Sequence, residues 1–498
     1  MNRSSRPRSS ASWLLSCYQR WRAHGEGDPA DVNAARTTQP DQTLSIGQKT
    51  AYGAVQFSDA VYGFGINLYL LFFFSTVIKV EPSKVGIAMA VGKVWDAFTD
   101  PVMGHISDRT NSRFGRRRPY MVAGGILLAF TLVLLWGPPS WVKPTNGFGY
   151  VLILYLAYST FYTILMIPYA ALGAELTPYY DERTSLFAWS SGLGAAGGVL
   201  AALLWTSIVE HRAEDPRGAF ATVGTMCAAV VIVTVLITTS CTRERYGAAN
   251  RSAHVGMIGL MRALWDTLRN GPFRVLFIVF IIAAIGIMMV LALLKFIADY
   301  WLRGNPSFTT IALINATVTL IGIPFVGSFA KAVGKRRAYL ATLAAAALCL
   351  AASFVMLQPG MSFLVWCWTS LFALCSAGLI VLPRAILPDI IDEDELVSDE
   401  RREGLYSGML TFAVKLSAAL GIFLAGIGLD VAGFSADAPQ QTEGALMTLR
   451  IGFGIVPAAL LAACFGVFLK FPITKARAEA TRQELERRCG TKLPEKLS

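Results

Sequence analysis

The sequence predicts an all-α membrane protein with twelve transmembrane helices in two six-helix halves, and three observations carry that expectation. The 498 residues are 54% hydrophobic and only 15% charged, with a mean hydropathy of +0.50, whereas soluble domains hold roughly a quarter charged residues. Apolar runs of about 18 residues or more, long enough to cross a hydrocarbon core of about 30 Å as a helix, recur along nearly the whole chain. Basic residues alternate between successive connections, as they do when Lys and Arg stay on one side of a membrane.

In chain order, the spans of the first half begin near 50, 84, 119, 148, 185 and 218. They end on VEPSK, RTNSRFGRRRP, GPPSWVKPTNG, ELTPYYDERT, HRAEDPRG and the long polar stretch Thr242 to Pro272. The second half begins near 273, 308, 337, 361, 404 and 446, with the connections LRGNPS, KAVGKRR, LQPGMS, DEDELVSDERREG and AGFSADAPQQTEG, and a final KFPITKARAEA. Each connection is polar, charged or rich in Gly and Pro, residues that stop a helix or need water. The implied domains are a disordered tail at 1–48, helical halves at 49–242 and 273–472, a linker at 243–272 and a second tail at 473–498. Within the linker, Val255 to Leu268 is amphipathic and reads either as a helix on the membrane surface or as a plain linker helix.

With both termini cytoplasmic, the internal connections hold eighteen Lys and Arg, among them Arg116 to Arg118, Lys335 to Arg337, Arg401 and Arg402. The opposite connections hold six: Lys79, Lys84, Lys143, Arg212, Arg217 and Arg303. Topology therefore accounts for the net charge of +11 and no nucleic-acid partner is implied. The first 48 residues are Ser/Arg-rich and lack an apolar core long enough for a cleaved signal. The cysteines show no metal-ligand spacing and read as small packing residues.

The Arg109–Met121 stretch after the second span and the Ala330–Leu340 stretch after the eighth share a Gly followed by a basic run, at Gly115 and Gly334. Equivalent turns after the second span of each half imply two similar halves related by an axis along the membrane normal. That is the architecture of the major facilitator superfamily, which binds solute between its halves and rocks around it. No GxxxxGK[ST] phosphate loop is present, so an ion gradient rather than ATP is the expected energy source. No nucleophile–base pair, metal cluster or cofactor loop stands out, and the chain does not read as an enzyme.

Charges inside apolar runs mark the candidate site. In WDAFTDPVMG, Trp95 to Gly104, Asp96 and Asp100 stand at i and i+4 and share one helical face. Two carboxylates in a low dielectric require a proton, a cation or a basic partner. Na⁺ held by carboxylate and hydroxyl oxygens satisfies them, as does H⁺ or Li⁺; contact of Asp100 with Arg109 or Arg113 is the structural alternative. Lys93 lies on the neighbouring turn, either as a counter-charge for the empty site or as a plain structural pair. Lys415 is the deepest cation and is expected to face the central cavity, because a lipid-facing Lys at that depth costs about 3 kcal/mol or more. Lys295 and Asp299, at i and i+4, read as a mutual pair.

These residues resemble a known family. WDAFTDPVMGHISDRTNSRFGRRRPYM is similar to the second helix and following loop of the glycoside-pentoside-hexuronide:cation symporters, the melibiose permease family. YTILMIPY (Tyr162 to Tyr169), LPDIIDEDELVSDERREG (Leu387 to Gly404) and Lys415 resemble its fourth, tenth and eleventh helices, and the likeness spans residues 50 to 472. The resemblance implies a cation site at Asp96, Asp100 and Thr163. It implies a cytoplasmic gate, pairing charges across the halves, at Arg116, Arg117, Asp389, Asp392, Glu395, Arg401 and Glu403.

The family's sugar ligands do not carry over: their positions hold Ala60, Met166, Ala170, Ser191 and Ile380. Asp59, one position from Ala60, is expected to serve only if the first helix is rotated. The family's sodium-dependent lysolipid branch offers a second comparison, through the IPY segment, the tenth-helix motif, Lys415 and Asp430 to Phe434. In that comparison Lys415 meets an anionic head group, although a fifth-helix arginine of that branch falls on Ser190. Lys415, Asp59 and Met166 are therefore the expected substrate and coupling positions. The chain is expected to be a monomeric, sodium-coupled symporter of a bacterial inner membrane, embedded in lipid and carrying a glycoside or, alternatively, a lysophospholipid.

Overall fold

The computed structural model describes residues 44–110, 112, 114–177, 180–211, 214–242, 267–398, 402–435, 438 and 441–488. Among these the chain is helical throughout. In the first half α1 spans Ile46–Leu68, α2 Pro82–Arg109, α3 Arg118–Trp136, α4 Pro144–Glu175, α5 Tyr180–His211 and α6 Pro216–Cys241. In the second, α7 spans Gly271–Phe296, α8 Phe308–Val333, α9 Lys335–Met356, α10 Ser362–Ser398 and α11 Glu403–Val431. Helix α12 runs from Glu443 to Phe468 through a π-helical turn at Ile451–Ile455, and α13 (Lys475–Arg488) follows.

Local chemistry sets these boundaries. Ser45 caps α1 in a reciprocal box with Gln48, so the helix starts at Ile46 instead of near 50. Asp215, Asn270, Ser307 and Thr442 cap α6, α7, α8 and α12, and proline occupies the first turn of α2, α3, α4, α6 and α7, where its missing N–H costs nothing. Beyond Tyr69, α1 continues as Leu70–Phe72 and a π-helical turn at Phe73–Val77, bent by 45°.

Among the described residues ten helices, or eleven with bent α1, are long and apolar enough to cross a membrane. Helix α2 has the length, at 28 residues, but Lys93, Asp96 and Asp100 crowd its centre. Its place in the bundle comes from packing, since it is bound by α4 and α11. The expected C-terminal tail is in part a helix, because α13 packs back against α10. Of the expected linker helix, only Thr267 and Leu268 lie within the described residues, and the N-terminal tail before Leu44 lies outside them.

The two halves repeat one packing plan. Helix α1 packs on α5 and α6, α3 on α4 and α6, and α2 on α4; in register, α7 packs on α11 and α12, α9 on α10 and α12, and α8 on α10. The repeated turn is equally literal: Gly115 and Gly334 both have positive φ, 102° and 87°, where a side chain is disfavoured. The halves meet chiefly along α2 against α11 and, more lightly, α5 against α8. The end of the bundle away from the chain termini is called the outer face below.

Candidate cation and solute site

Midway along α2, two carboxylates and two ammonium groups form a compact cluster. Thr163 of α4 donates a hydrogen bond to Asp100 Oδ1 at 2.8 Å, and Lys415 of α11 donates to Asp100 Oδ2 from the other half of the molecule. Arg113 lies outside the described residues. Asp96 is fully buried, with Lys93 Nζ at 3.6 Å and neither carboxylate oxygen hydrogen-bonded. Thr99 Oγ1 lies 3.4 Å from Thr163 Oγ1, and the buried hydroxyl of Ser159 is also unpartnered.

The helical period explains the convergence. Asp96 and Asp100 are one turn apart on α2, and Ser159 and Thr163 are one turn apart on the α4 face that packs against it. The result is two acids and three hydroxyls, hard oxygen donors of the type alkali and alkaline-earth cations prefer. Among the described residues no group of three or more His, Cys, Asp or Glu could hold a metal ion, so any ion here relies on hydroxyl as well as carboxylate oxygens. The fixed charges already balance, Lys93 against Asp96 and Lys415 against Asp100, and an entering cation therefore competes with a lysine.

Beside this cluster lies a cavity of about 590 Å³ whose described lining comes from the first half. Its polar wall holds Gln56, Asp59, Asn67, Lys93, Tyr158, Tyr162 and Ser191, and Gln56 Nε2 donates to Asp59 Oδ2 at 3.2 Å. Asp59 and Ala60 both line the cavity. Neighbours on a helix point about 100° apart, and a wide concave wall accommodates both. Met166 is not among the lining: it is half-buried against the hydrophobic core, one turn past Tyr162 on the side of the chain termini. Gln56, Asn67 and the two tyrosines escaped the sequence reading. The stripe Gln56, Asp59, Gly63, Asn67, polar or small at helical spacing within an apolar run, is the signal that marks them.

Three of the expected gate residues, Arg116, Arg117 and Asp389, have ion pairs within their own halves. Arg116 and Arg117 hold Glu175 at 2.6 and 2.9 Å, and Arg117 also holds Asp108 at 2.6 Å. Lys335 holds Asp389 at 2.6 Å. In both halves the start of the third helix is thus bound to the fourth. Asp392, Glu395 and Glu403 each have an interaction of their own, and Arg401 lies outside the described residues.

Against known proteins, the family described as MFS/sugar transport protein matches residues 51–475. The chain belongs to this family. Among its relatives, the putative glycoside/cation symporter YagG of Escherichia coli is 26% identical over 89% of this chain and 95% of its own. The inner membrane symporter YicJ of the same organism is 26% identical over 84% and 89%. The sodium-dependent lysophosphatidylcholine symporter 1 of Mus musculus is 23% identical over 91% of each. The crystal structure of the nucleoside transporter NupG superimposes with a TM-score of 0.61 at 16% identity, over 86% of this chain and 100% of that one. This MFS/sugar transport protein is accordingly a multi-pass membrane protein of the secondary-transporter class, not an enzyme.

Proposed function

We propose that the chain is a sodium-coupled symporter that moves a hydroxyl-rich, glycoside-type solute by alternating access. The supporting observation is the cross-half contact of Lys415 with Asp100 beside the buried carboxylate of Asp96, itself paired with Lys93. Na⁺ entering among Asp96, Asp100, Thr163 and the neighbouring hydroxyls replaces the ammonium of Lys415 at Asp100. That exchange alters the α2–α11 seam, so cation occupancy and the relation of the two halves become linked. The polar cavity shares Lys93 with the cation cluster, which gives solute and cation a common residue.

The glycoside reading rests on that cavity wall: a carboxylate, two amides, two phenols and a hydroxyl can accept from and donate to sugar hydroxyls, while the tyrosine rings cover an apolar sugar face. A lysophospholipid is the second reading, favoured by the lysolipid relatives and by Lys415, whose ammonium, once released from Asp100, can meet a phosphate. In either case the protein works as a monomer in a bacterial inner membrane, with both termini cytoplasmic. The charged groups Asp392, Glu395 and Glu403 re-pair across the halves when the chain-end face closes.

Thermal stabilisation of the purified protein against glycosides, uronates and lysophospholipids, with Na⁺, Li⁺ or choline, tests this. A glycoside that stabilises only with Na⁺ supports the proposal. Stabilisation by a lysophospholipid alone moves the chain to the second reading, and indifference to Na⁺ removes the coupling ion.

A further inference from the structure

We infer that Asp430 and Lys295 are the two charged latches holding the outer face shut, each acting between the halves at a seam of its own. The inference rests on the alternating-access reading above and gives work to residues that reading leaves unused.

Helix α2 begins without a cap of its own, since Glu81 supplies no side-chain hydrogen bond to the first turn. The cap comes from the other half: the Ser83 N–H donates to Asp430 Oδ2, at the end of α11, at 3.0 Å. A carboxylate there satisfies an orphan donor and faces the positive end of the α2 dipole. Backbone contact makes this possible. A Cβ on Gly426 would stand 2.6 Å from Pro82 O, and one on Gly86 would stand 3.2 Å from Ile422 O.

At the second seam Lys295 is buried, 4% exposed. Its ammonium lies 5.8 and 5.2 Å from the ring centres of Tyr69 and Phe72 in the first half, and 5.2 Å from that of Phe308 in its own half. Asp299 pairs with it at 2.7 Å. Two of its three rings therefore stay behind when the halves part, whereas Asp299 and Phe308 travel with it and prevent a stranded charge. Phe434, at the end of the Asp430 segment, packs edge-on against Phe296 and Tyr300 and links the two latches.

Directional bonds matter here more than apolar contact. Lipid tails are as apolar as Leu and Phe side chains, so apolar packing alone gives little preference for a closed seam in a membrane, while a cap and a caged cation do. Both bonds are also breakable, since water can hydrate Ser83 N–H and Asp430 once the face opens.

The test uses electron–electron spin distances in the purified full chain, lacking Cys17, Cys241, Cys367 and Cys489, with labels at K143C and M361C on the outer face. Asp430→Leu should raise the open-to-closed ratio about fivefold and Lys295→Leu about tenfold. Asp430→Asn still accepts a hydrogen bond and should stay within about twofold of wild type. Unchanged distances in both leucine variants, or equal opening by Asp430→Asn and Asp430→Leu, overturn the latch. A second pair, F114C and V397C at the opposite face, separates the two claims. Outer widening without narrowing there keeps the latches and sinks alternating access.

Discussion

Lys415 and Asp100 form the charged contact that crosses the centre of the molecule, joining α11 of the second half to α2 of the first. Each is about one-fifth exposed at the side chain, 17% and 20%, so the pair is neither a surface bridge nor sealed from water. A pair in that setting can exchange partners. This is what a coupling site requires, because binding energy reaches the conformational equilibrium only through a difference between states.

If the proposed cation site is right, removing its carboxylates should remove the response to sodium while leaving the fold. At a sodium concentration about 100 times Kd, linkage gives the wild type a stabilisation of about 2.7 kcal/mol. Asp96→Asn and Asp100→Asn should each lose most of it, measured by thermal unfolding in NaCl against choline chloride. Full retention in both variants refutes the site.

Lys415→Gln should destabilise the sodium-free protein by about 1–2 kcal/mol, less than a fully buried broken pair because water reaches both groups. Asp100→Asn combined with Lys415→Gln should cost less than the two single changes added together. A double-mutant cycle measures that coupling, and strict additivity would mean that the contact carries no energy.

Asp59→Asn should weaken solute binding about ten- to a hundredfold, the worth of a hydrogen bond to a charged group. Stabilisation by Na⁺ alone should persist, since Asp59 lies outside the cation cluster. Met166→Leu, away from the cavity, should leave solute affinity within about twofold, because the swap nearly conserves volume. Calorimetric titration with the stabilising glycoside distinguishes the two variants.

Gly334→Ala should destabilise the protein by about 1–3 kcal/mol, since φ of 87° with ψ of 143° is closed to side chains. The space itself is adequate: the new Cβ would stand 3.5 Å from Lys475 Cβ and 3.9 Å from its Cδ, ordinary van der Waals contact. Loss of stability in denaturant titrations without a steric clash would isolate backbone strain as the cause. An unchanged midpoint would show that the turn relaxes.

Much of the fold was legible because a membrane imposes its own pattern. The expected span starts fall within five residues of the helices, the widest gap being at α5 (180 against 185), since apolar length and polar connections are set by the bilayer. The Asp96–Asp100 pair was legible for the same reason: intramembrane charge is expensive and stands out. Gln56 and Asn67 were not, as uncharged polar residues in an apolar run give a weak signal until a cavity shows which face they share.

The sequence alone therefore determined the helical class, the repeat marked by Gly115 and Gly334, and the placement of two acids on one face of α2. Local periodicity and hydropathy are enough for each. Only the tertiary structure decided that Lys415 meets Asp100, that Asp430 caps α2 from the opposite half and that Arg117 and Lys335 pair within their own halves. Those outcomes depend on how the helices rotate and cross, and a side chain's partner 315 residues away leaves no trace in the spacing of its neighbours.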